Sequence, residues 1–389
     1  MPSNPPDSQQ PSRVPRIVHI LFGGLGGHGS VVFSLIKASR GAALHELAFV
    51  STGELLTDYR AKCERDGITY VHERTSGGAD LGFQWRLFRW ILARRPDTVV
   101  VHSTGSVGAA LAVKLLGRHT RIVVVEHQSW DLRGRRYNIA TTLSLLAADN
   151  VLVLTEDYAR KLRGHFPRLS RRVSIDVVRN GIDTDHYVPR PMPSWPAETL
   201  LIGMQSRIIP IKDHATLIRA IHLLRERGLD VHLELAGDGS SRGDLEALVS
   251  DLDLRDRVTF RGMLNESELV EFLQGLDIYV HASLGEAMST ALLQAMSCGL
   301  PVVASDVPGI ADLVAGSDAA ILVPPQSPEP LADVVASLCA DPKGRESLGK
   351  AAREFVMSGY SLDAMWQSYG PFLVGTHGRR SAGRGGSAP

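Results

Sequence analysis

Several polar residues in the second half of the chain are spaced as a site for an anionic, hydroxyl-bearing ligand would need them. Arg207 and Lys212 follow the apolar run TLLIGMQS (199–206), so both fall at the carboxyl end of an expected strand. An arginine fork and a lysine point charge placed there can converge on one anion. On their own they are equally two solvated surface cations. Further along, the run 277–283 delivers Gly285-Glu286 to its carboxyl end, and Ala287-Met288-Ser289-Thr290 then opens a helix. Ser289 or Thr290 falls near its cap, where free N–H groups suit a phosphate or a sugar hydroxyl. Gln294 follows Glu286 by eight residues, about two turns if all eight are helical, which would let both side chains line one ligand.

Glycine turns accompany these groups. Gly237-Asp238-Gly239 follows a strand, and Gly262 closes Phe260-Arg261-Gly262 after the next one. In the first half, Gly23-Gly24-Leu25-Gly26-Gly27-His28-Gly29 follows the first strand. Its glycines let the backbone approach a ligand, and the helix after it favours an anion. Gly24, Gly26 and Gly29 formally match a dinucleotide fingerprint. That reading also needs an acidic residue at the end of the second strand. The nearest candidate, Glu46, stands at that strand's beginning. A phosphate or sugar held by backbone amides is the favoured reading.

The elements that must position these residues alternate along the chain. Strand runs are 16–22, 45–50, 68–72, 97–102, 121–126, 150–154 and 173–178 in the first half, then 199–206, 230–236, 257–260, 277–283 and 301–305. Helical patterns follow at about 212–227, 241–252, 266–274, 289–298, 327–339 and 343–357. Strand–helix alternation with runs such as IVVV, apolar on both faces, predicts parallel sheets covered on both sides. Four prolines between Pro189 and Pro196 mark a break. The expected organisation is an arm over 1–15, a Rossmann-like domain over 16–188, a hinge over 189–198 and a second Rossmann-like domain over 199–360. A C-terminal helix over 361–375 should pack back toward the first domain, and 376–389 reads as a disordered tail. Ligands in such α/β sheets bind beyond the carboxyl ends of the strands, so two facing domains make a cleft.

Composition removes other classes. The 389 residues carry 42 Lys+Arg and 42 Asp+Glu, with 44% hydrophobic and 22% charged residues, which suits a soluble globular protein. Neutral charge and a pI near 7.3 argue against a nucleic-acid partner. The zero hides a division. Residues 1–190 hold 26 Lys/Arg against 17 Asp/Glu, a net of +9, and the remainder holds 16 against 25, a net of −9. Three scattered cysteines, Cys63, Cys298 and Cys339, have no metal-ligand spacing and read as reduced thiols of a cytosolic protein. The polar, Pro-rich first fifteen residues lack a signal-peptide core, and no run is long and apolar enough to span a bilayer.

Taken in order, these pieces resemble a family 4 glycosyltransferase of the GT-B fold. They are the Gly23–Gly29 loop, Glu126-His127 after the fifth strand, and Asn180-Gly181-Ile182-Asp183 before the hinge. Arg207 with Lys212, the Gly237 turn, and Glu286 with Gln294 followed by AMSCGLPVVASDVPG complete the set. The likeness covers about 16–360. It implies two Rossmann-like domains across a cleft, the second holding a nucleotide-diphosphate sugar. Arg207 and Lys212 match the pair that grips the diphosphate as it leaves. Glu286 matches the carboxylate that hydrogen-bonds donor-sugar hydroxyls, and Met288, Ser289 and Thr290 match the segment cradling sugar and phosphate. Gly26 and Gly27 match the loop closing on the phosphates. His127 matches a histidine facing the donor sugar; its other reading is a structural strand-end hydrogen bond. Gln294 departs from the family's glutamate, exchanging one acceptor oxygen for a donor at the ribose.

The resemblance further implies retention of anomeric configuration with no metal or other cofactor, which agrees with the lack of an obvious acid–base pair of carboxylates. Asp183-Thr184-Asp185 spells a metal motif of another glycosyltransferase fold, but here sits in a turn. The expected reaction moves a hexosyl or amino-hexosyl group, UDP-linked in the reading taken, to a hydroxyl of a small molecule such as a natural-product or aminocyclitol intermediate. The main alternative acceptor is a lipid-linked glycan or phospholipid. That reading draws on the basic first domain and on the helix at 83–92, which mixes aromatics with arginine and is otherwise a core helix. An epimerase of the same fold and a non-catalytic nucleotide-sugar sensor are the rivals. The expected location is cytoplasmic, with contact at the inner membrane face under the lipid reading, and the oligomeric state is open.

Overall fold

The computed structural model describes residues 13–24, 27–76, 80–102, 106–116, 120–127, 135–190 and 199–375. The first domain is a seven-stranded parallel sheet built from β1 (Arg16–Phe22), β2 (Leu44–Ser51), β3 (Thr69–Arg74), β4 (Thr98–Val101), β5 (Arg121–Val125), β6 (Asn150–Val153) and β7 (Ser174–Val177). The order is β3-β2-β1-β4-β5-β6-β7. Between the strands run α1 (Gly27–Ala38), α2 (Thr57–Arg65), α3 (Leu81–Arg94), α4 (Val107–Leu116), α5 (Arg135–Ala147) and α6 (Glu156–His165). Successive side chains of a strand point to opposite faces, and in these runs both faces are apolar and packed. Val99, Val101 and Val124 join the core with α3, α4 and α5, while Val100, Val123 and Val125 join the core with α1.

The second domain has six parallel strands: β8 (Leu200–Gln205), β9 (Val231–Ala236), β10 (Val258–Gly262), β11 (Ile278–His281), β12 (Val302–Ser305) and β13 (Ile321–Val323). Their order is β10-β9-β8-β11-β12-β13. The helices are α7 (His214–Glu226), α8 (Arg242–Asp251), α9 (Glu266–Gly275), α10 (Thr290–Ser297), α11 (Pro308–Val314), α12 (Pro328–Ala340), α13 (Pro342–Gly359) and α14 (Leu362–Leu373). In both sheets the strand order reverses between the first strand and the fourth, at β1/β4 and β8/β11. A crevice opens beyond the carboxyl ends at such switch points.

Two elements differ from the sequence expectation. The strand β13 has three residues, too few for a period to register. The helix α11 begins at Pro308, where no helical pattern is expected from the sequence. Of the expected hinge, Pro189 and Arg190 are described; 191–198 lie outside the described residues, as do 1–12 of the arm and 376–389 of the tail. Among the described residues no helix is long and apolar enough to cross a membrane. The helix at 83–92 is a core helix. Phe83, Leu87, Phe88 and Ile91 are buried, and Arg86 pairs with Glu73 at 2.9 Å on its outer side.

The helix α14 returns to the first domain. Thr98 Oγ1 donates to the Leu373 carbonyl at 2.9 Å, Arg121 to the Phe372 carbonyl at 2.9 Å, and the buried Tyr369 hydroxyl to Asn180 Oδ1 at 2.7 Å. The chain crosses where Ile182 N donates to the Tyr360 carbonyl at 2.9 Å. Gly181 is the close-approach point, since a Cβ there would overlap the Ser361 carbonyl oxygen and the Met365 Cβ. The Asn-Gly-Ile motif is therefore explained by this crossing. Gly181→Ala should destabilise the protein by about 1–3 kcal/mol, the usual cost of overpacking, measured by urea unfolding. Unchanged stability would show that the crossing yields freely.

Candidate active site

The second-domain site is built where β8 and β11 end. After β8 the chain passes Ser206 and Arg207 and tightens into a 3-10 turn at Pro210–Lys212. The Ile208 N–H donates to the Asp238 carbonyl at 2.9 Å, and the Ile208 carbonyl accepts from Ser241 N at 3.0 Å. Gly237 makes this close packing possible. Its φ of +132° disfavours a side chain, and a Cβ would run into the Ser206 carbonyl. Its own N–H donates to the Gly262 carbonyl at 2.8 Å. Both glycines thus support the strand end that carries Arg207.

The loop after β11 is tied to the same turn. Leu284 N donates to the Ile211 carbonyl at 2.8 Å, Ser283 Oγ donates to it at 3.1 Å, and Ser283 N donates to Ser305 Oγ at 3.0 Å. These bonds bring Lys212 and Glu286, 74 residues apart, into an ion pair. Glu286 Oε1 also lies 2.8 Å from His281 Nε2, and Ser289 Oγ lies 3.0 Å from the same nitrogen. Tyr279 OH, 3.3 Å from His281 Nδ1, completes the row. The arrangement assigns the His281 proton to Nε2, facing the carboxylate.

Burial alone would raise the Glu286 pKa. The His281 hydrogen bond and the Lys212 charge outweigh it and hold the group at about 2. His281 is pushed below the ordinary histidine value by burial, against the opposing pull of Glu286. His214, 3.0 Å from Ser206 Oγ, is lowered to about 4 by burial and then by His281 and Lys212. The site at neutral pH is therefore one carboxylate and one ammonium among neutral imidazoles.

Ser289 caps α10, its Oγ accepting from Leu292 N at 3.3 Å, and Thr290 is the first helical residue. Ala287 and Met288 pack on the cluster that joins Val123, Leu154 and Val178 of the first domain to Met365 and Tyr369 of α14. The sequence expectation that Glu286 and Gln294 lie two helical turns apart is corrected. The helix begins at Thr290, so Glu286 stands in the preceding loop, and its backbone is backed by Gly309 of α11. Gln294 is buried, with its side-chain amide against the Tyr187 hydroxyl. Arg207 is exposed at the strand end, its guanidinium in no ion pair among the described residues.

In the first domain Gly27 opens α1, and Gly26 lies outside the described residues. His127 follows β5 and is 2.8 Å from His102. The Asp183 carboxylate accepts from Asp185 N at 3.2 Å and His186 N at 3.3 Å and pairs with Lys37, an arrangement that closes a turn. Among the described residues no group of His, Cys, Asp or Glu is arranged to hold a metal ion. Sequence reasoning missed His281, Ser283 and His102. Their signal was position, since each follows or ends a strand next to a switch point.

Comparison with known proteins settles the family. The model described as Glycosyltransferase Family 4 matches residues 25–186, and that described as Glycosyl transferases group 1 matches 190–355. The chain belongs to the family 4-like glycosyltransferases. The GT-B fold is seen in the Anabaena protein Alr3699/HepE, solved with UDP and glucose, at a TM-score of 0.77 and 19% identity over 92% of this chain and 98% of that one. Among curated relatives, the alpha-D-kanosaminyltransferase of Streptomyces kanamyceticus is 35% identical over 147 residues, 38% of each chain. The 2-deoxystreptamine glucosyltransferase of the same organism is 28% identical over 295 residues, 72% of each chain. The first of these two alignments thus spans well under half of the relative's length.

The ionised Glu286 gives this glycosyltransferase a pH signature. Its folded pKa lies below the ordinary 4.5, so its stabilisation is complete above about 4.5 and is lost as pH falls toward 2. The stability difference between wild type and Glu286→Gln should therefore shrink across that window in urea melts at stepped pH. A difference independent of pH there would contradict the ionised assignment.

Proposed function

We propose that the enzyme transfers a hexosyl or amino-hexosyl group from a UDP-linked donor to a hydroxyl of a small polyhydroxylated acceptor of the aminocyclitol type. The observation that carries this reading is the Lys212–Glu286–His281 group where β8 and β11 end, together with Arg207 after β8, exposed and in no ion pair among the described residues. Arg207 and Lys212 supply two cations where a diphosphate would lie, at the carboxyl end of β8. Glu286, fixed as an acceptor-only carboxylate, suits donor-sugar hydroxyls, and the N-terminus of α10 offers backbone N–H groups. The names of the two Streptomyces relatives support the acceptor class, and the UDP held by the Anabaena protein supports the donor nucleotide.

In the step proposed, the acceptor hydroxyl oxygen bonds to the anomeric carbon as its bond to the diphosphate oxygen breaks. The hydroxyl proton passes to the departing phosphate on the same face, so configuration is retained. Charge grows on the diphosphate in the transition state, where Arg207 and Lys212 bind it more strongly than in the ground state. Gln294, with its amide engaged by Tyr187, contributes to a ribose site that differs from one built on a carboxylate. No resident metal or cofactor is part of the proposal. The lipid-linked acceptor is the second reading, supported by the net +9 of residues 1–190.

Incubation with UDP-glucose or UDP-N-acetylglucosamine, and either 2-deoxystreptamine or an anionic lipid extract, separates these readings by product mass. Glycosylated aminocyclitol is expected. Lipid product alone would favour the second reading, and donor turnover without any acceptor would indicate an epimerase or hydrolase. Arg207→Ala and Lys212→Ala should each lower kcat by about 100–1000-fold, in the range seen when a transition-state charge donor is removed. Full activity in both would overturn the assignment.

A further inference from the structure

Three neighbouring helices of the first domain turn apolar side chains to the outside. The helices α3, α4 and α5 cover the sheet face to which Val99, Val101 and Val124 point, and α1, α2 and α14 cover the other. Helix α4 packs between α3 and α5, and its Ala109 N donates to Gln84 Oε1 of α3 at 2.7 Å. Trp85 and Leu92 on α3, Leu115 and Leu116 on α4, and Ile139 and Leu146 on α5 are 43–76% exposed. With Leu81 they make seven of the thirteen large apolar side chains that stand exposed among the described residues. A helix lying on a sheet ordinarily turns a polar stripe to water. The one polar side chain of α4 is Lys114, and it is paired with Asp149.

The charge of these helices is one-sided. Their sequences hold six Lys/Arg and no Asp/Glu, whereas α1, α2 and α14 together hold four and three. Arg89 on α3 and Arg95 just after it are exposed and in no ion pair among the described residues. The acids at the margin are engaged, Glu73 by Arg86, Asp149 by Lys114, and Asp80 as the cap of α3. A large exposed apolar patch marks an interaction surface, and a cationic one selects an anionic partner. A second copy docked about a twofold axis would set this charge against itself. A nucleic acid would match the charge but leave the leucines and Trp85 without a partner. An anionic bilayer meets both, with apolar side chains entering the headgroup boundary and guanidinium groups on lipid phosphates.

We propose that the outer wall formed by α3, α4 and α5 is a peripheral docking surface for an anionic phospholipid bilayer. The contact is peripheral, since no helix among the described residues is long and apolar enough to cross a membrane. These helices run alongside the sheet, whereas the candidate site lies beyond the strand ends, so docking by this wall leaves the cleft open to water. The proposal therefore rests on neither acceptor reading. It also gives a place to the positive excess of residues 1–190, much of which these helices carry.

The test is co-sedimentation of the full chain, without donor or acceptor, with vesicles of phosphatidylcholine alone or with about one third phosphatidylglycerol. Binding to the mixed vesicles is expected, at least about tenfold tighter than to phosphatidylcholine alone and weakened by salt. Leu115→Glu with Leu116→Glu should weaken it about tenfold or more by removing two inserted side chains. Arg89→Glu with Arg95→Glu should do the same by reversing two charges. Met357→Glu, exposed on α13 of the second domain, adds the same negative charge elsewhere and should bind as wild type does. No binding to mixed vesicles at low salt overturns the proposal. So does binding that the leucine pair leaves unchanged, or that Met357→Glu weakens as much. A dimer in light scattering that the leucine pair dissociates, with no vesicle binding, overturns it and gives the wall to a second copy. If one double variant does not fold, the other and the wild type still decide. Because no arm involves transfer, failure of the proposed reaction would leave these outcomes intact.

Discussion

The second-domain site depends on keeping one carboxylate charged where water is nearly excluded. An isolated Glu286 at 10% side-chain exposure would take up a proton rather than remain ionised. It stays charged because Lys212 and His281 both face the same oxygen, and they do so because two distant loops are laced together. The Ile211 carbonyl is the knot, accepting from Leu284 N and Ser283 Oγ. Gly237 lets the β8 end sink against its neighbour so that this turn sits at the required height. The ion pair is therefore a product of backbone packing, and removing one partner would leave the other as a buried, uncompensated charge.

Under the proposed function, the same group lets a second half of net −9 hold a dianionic ligand. The field at the strand ends is set locally by Lys212 and Arg207, because charges beyond about 8–10 Å are largely screened at physiological salt. Before a ligand arrives, Glu286 holds Lys212 in place and Arg207 stands in solvent. Under the proposed function a diphosphate is the better partner for both cations, and its binding releases Glu286 to accept hydroxyls. The ammonium and the carboxylate then serve different parts of one donor molecule.

Much of this was readable in the residues. IVVV and its like show both faces apolar, and the strand ends that carry Arg207 and Glu286 follow from those runs. Strand β13 was not readable, because three residues carry no period, and α11 was not, because seven residues span barely two turns and open on Pro-Gly. The Glu286–Gln294 spacing misled because a helical count was carried across a loop that ends only at the Ser289 cap. The contacts that link His45, His19, His102 and His127 were hidden for a different reason. Their partners come from sheet order, which places residues 26 and 83 positions apart within hydrogen-bond distance. Single-strand patterns cannot show that.

The central claim is that Lys212 and Arg207 form a diphosphate site from which Glu286 is freed for the sugar. A crystal structure of the full chain with UDP tests it most directly. The account predicts the diphosphate at the carboxyl end of β8 with both Arg207 and Lys212 in hydrogen-bond contact, and Glu286 separated from Lys212 but still bonded to His281. A nucleotide bound elsewhere, or one at the strand end with Lys212 still closed on Glu286, would contradict it.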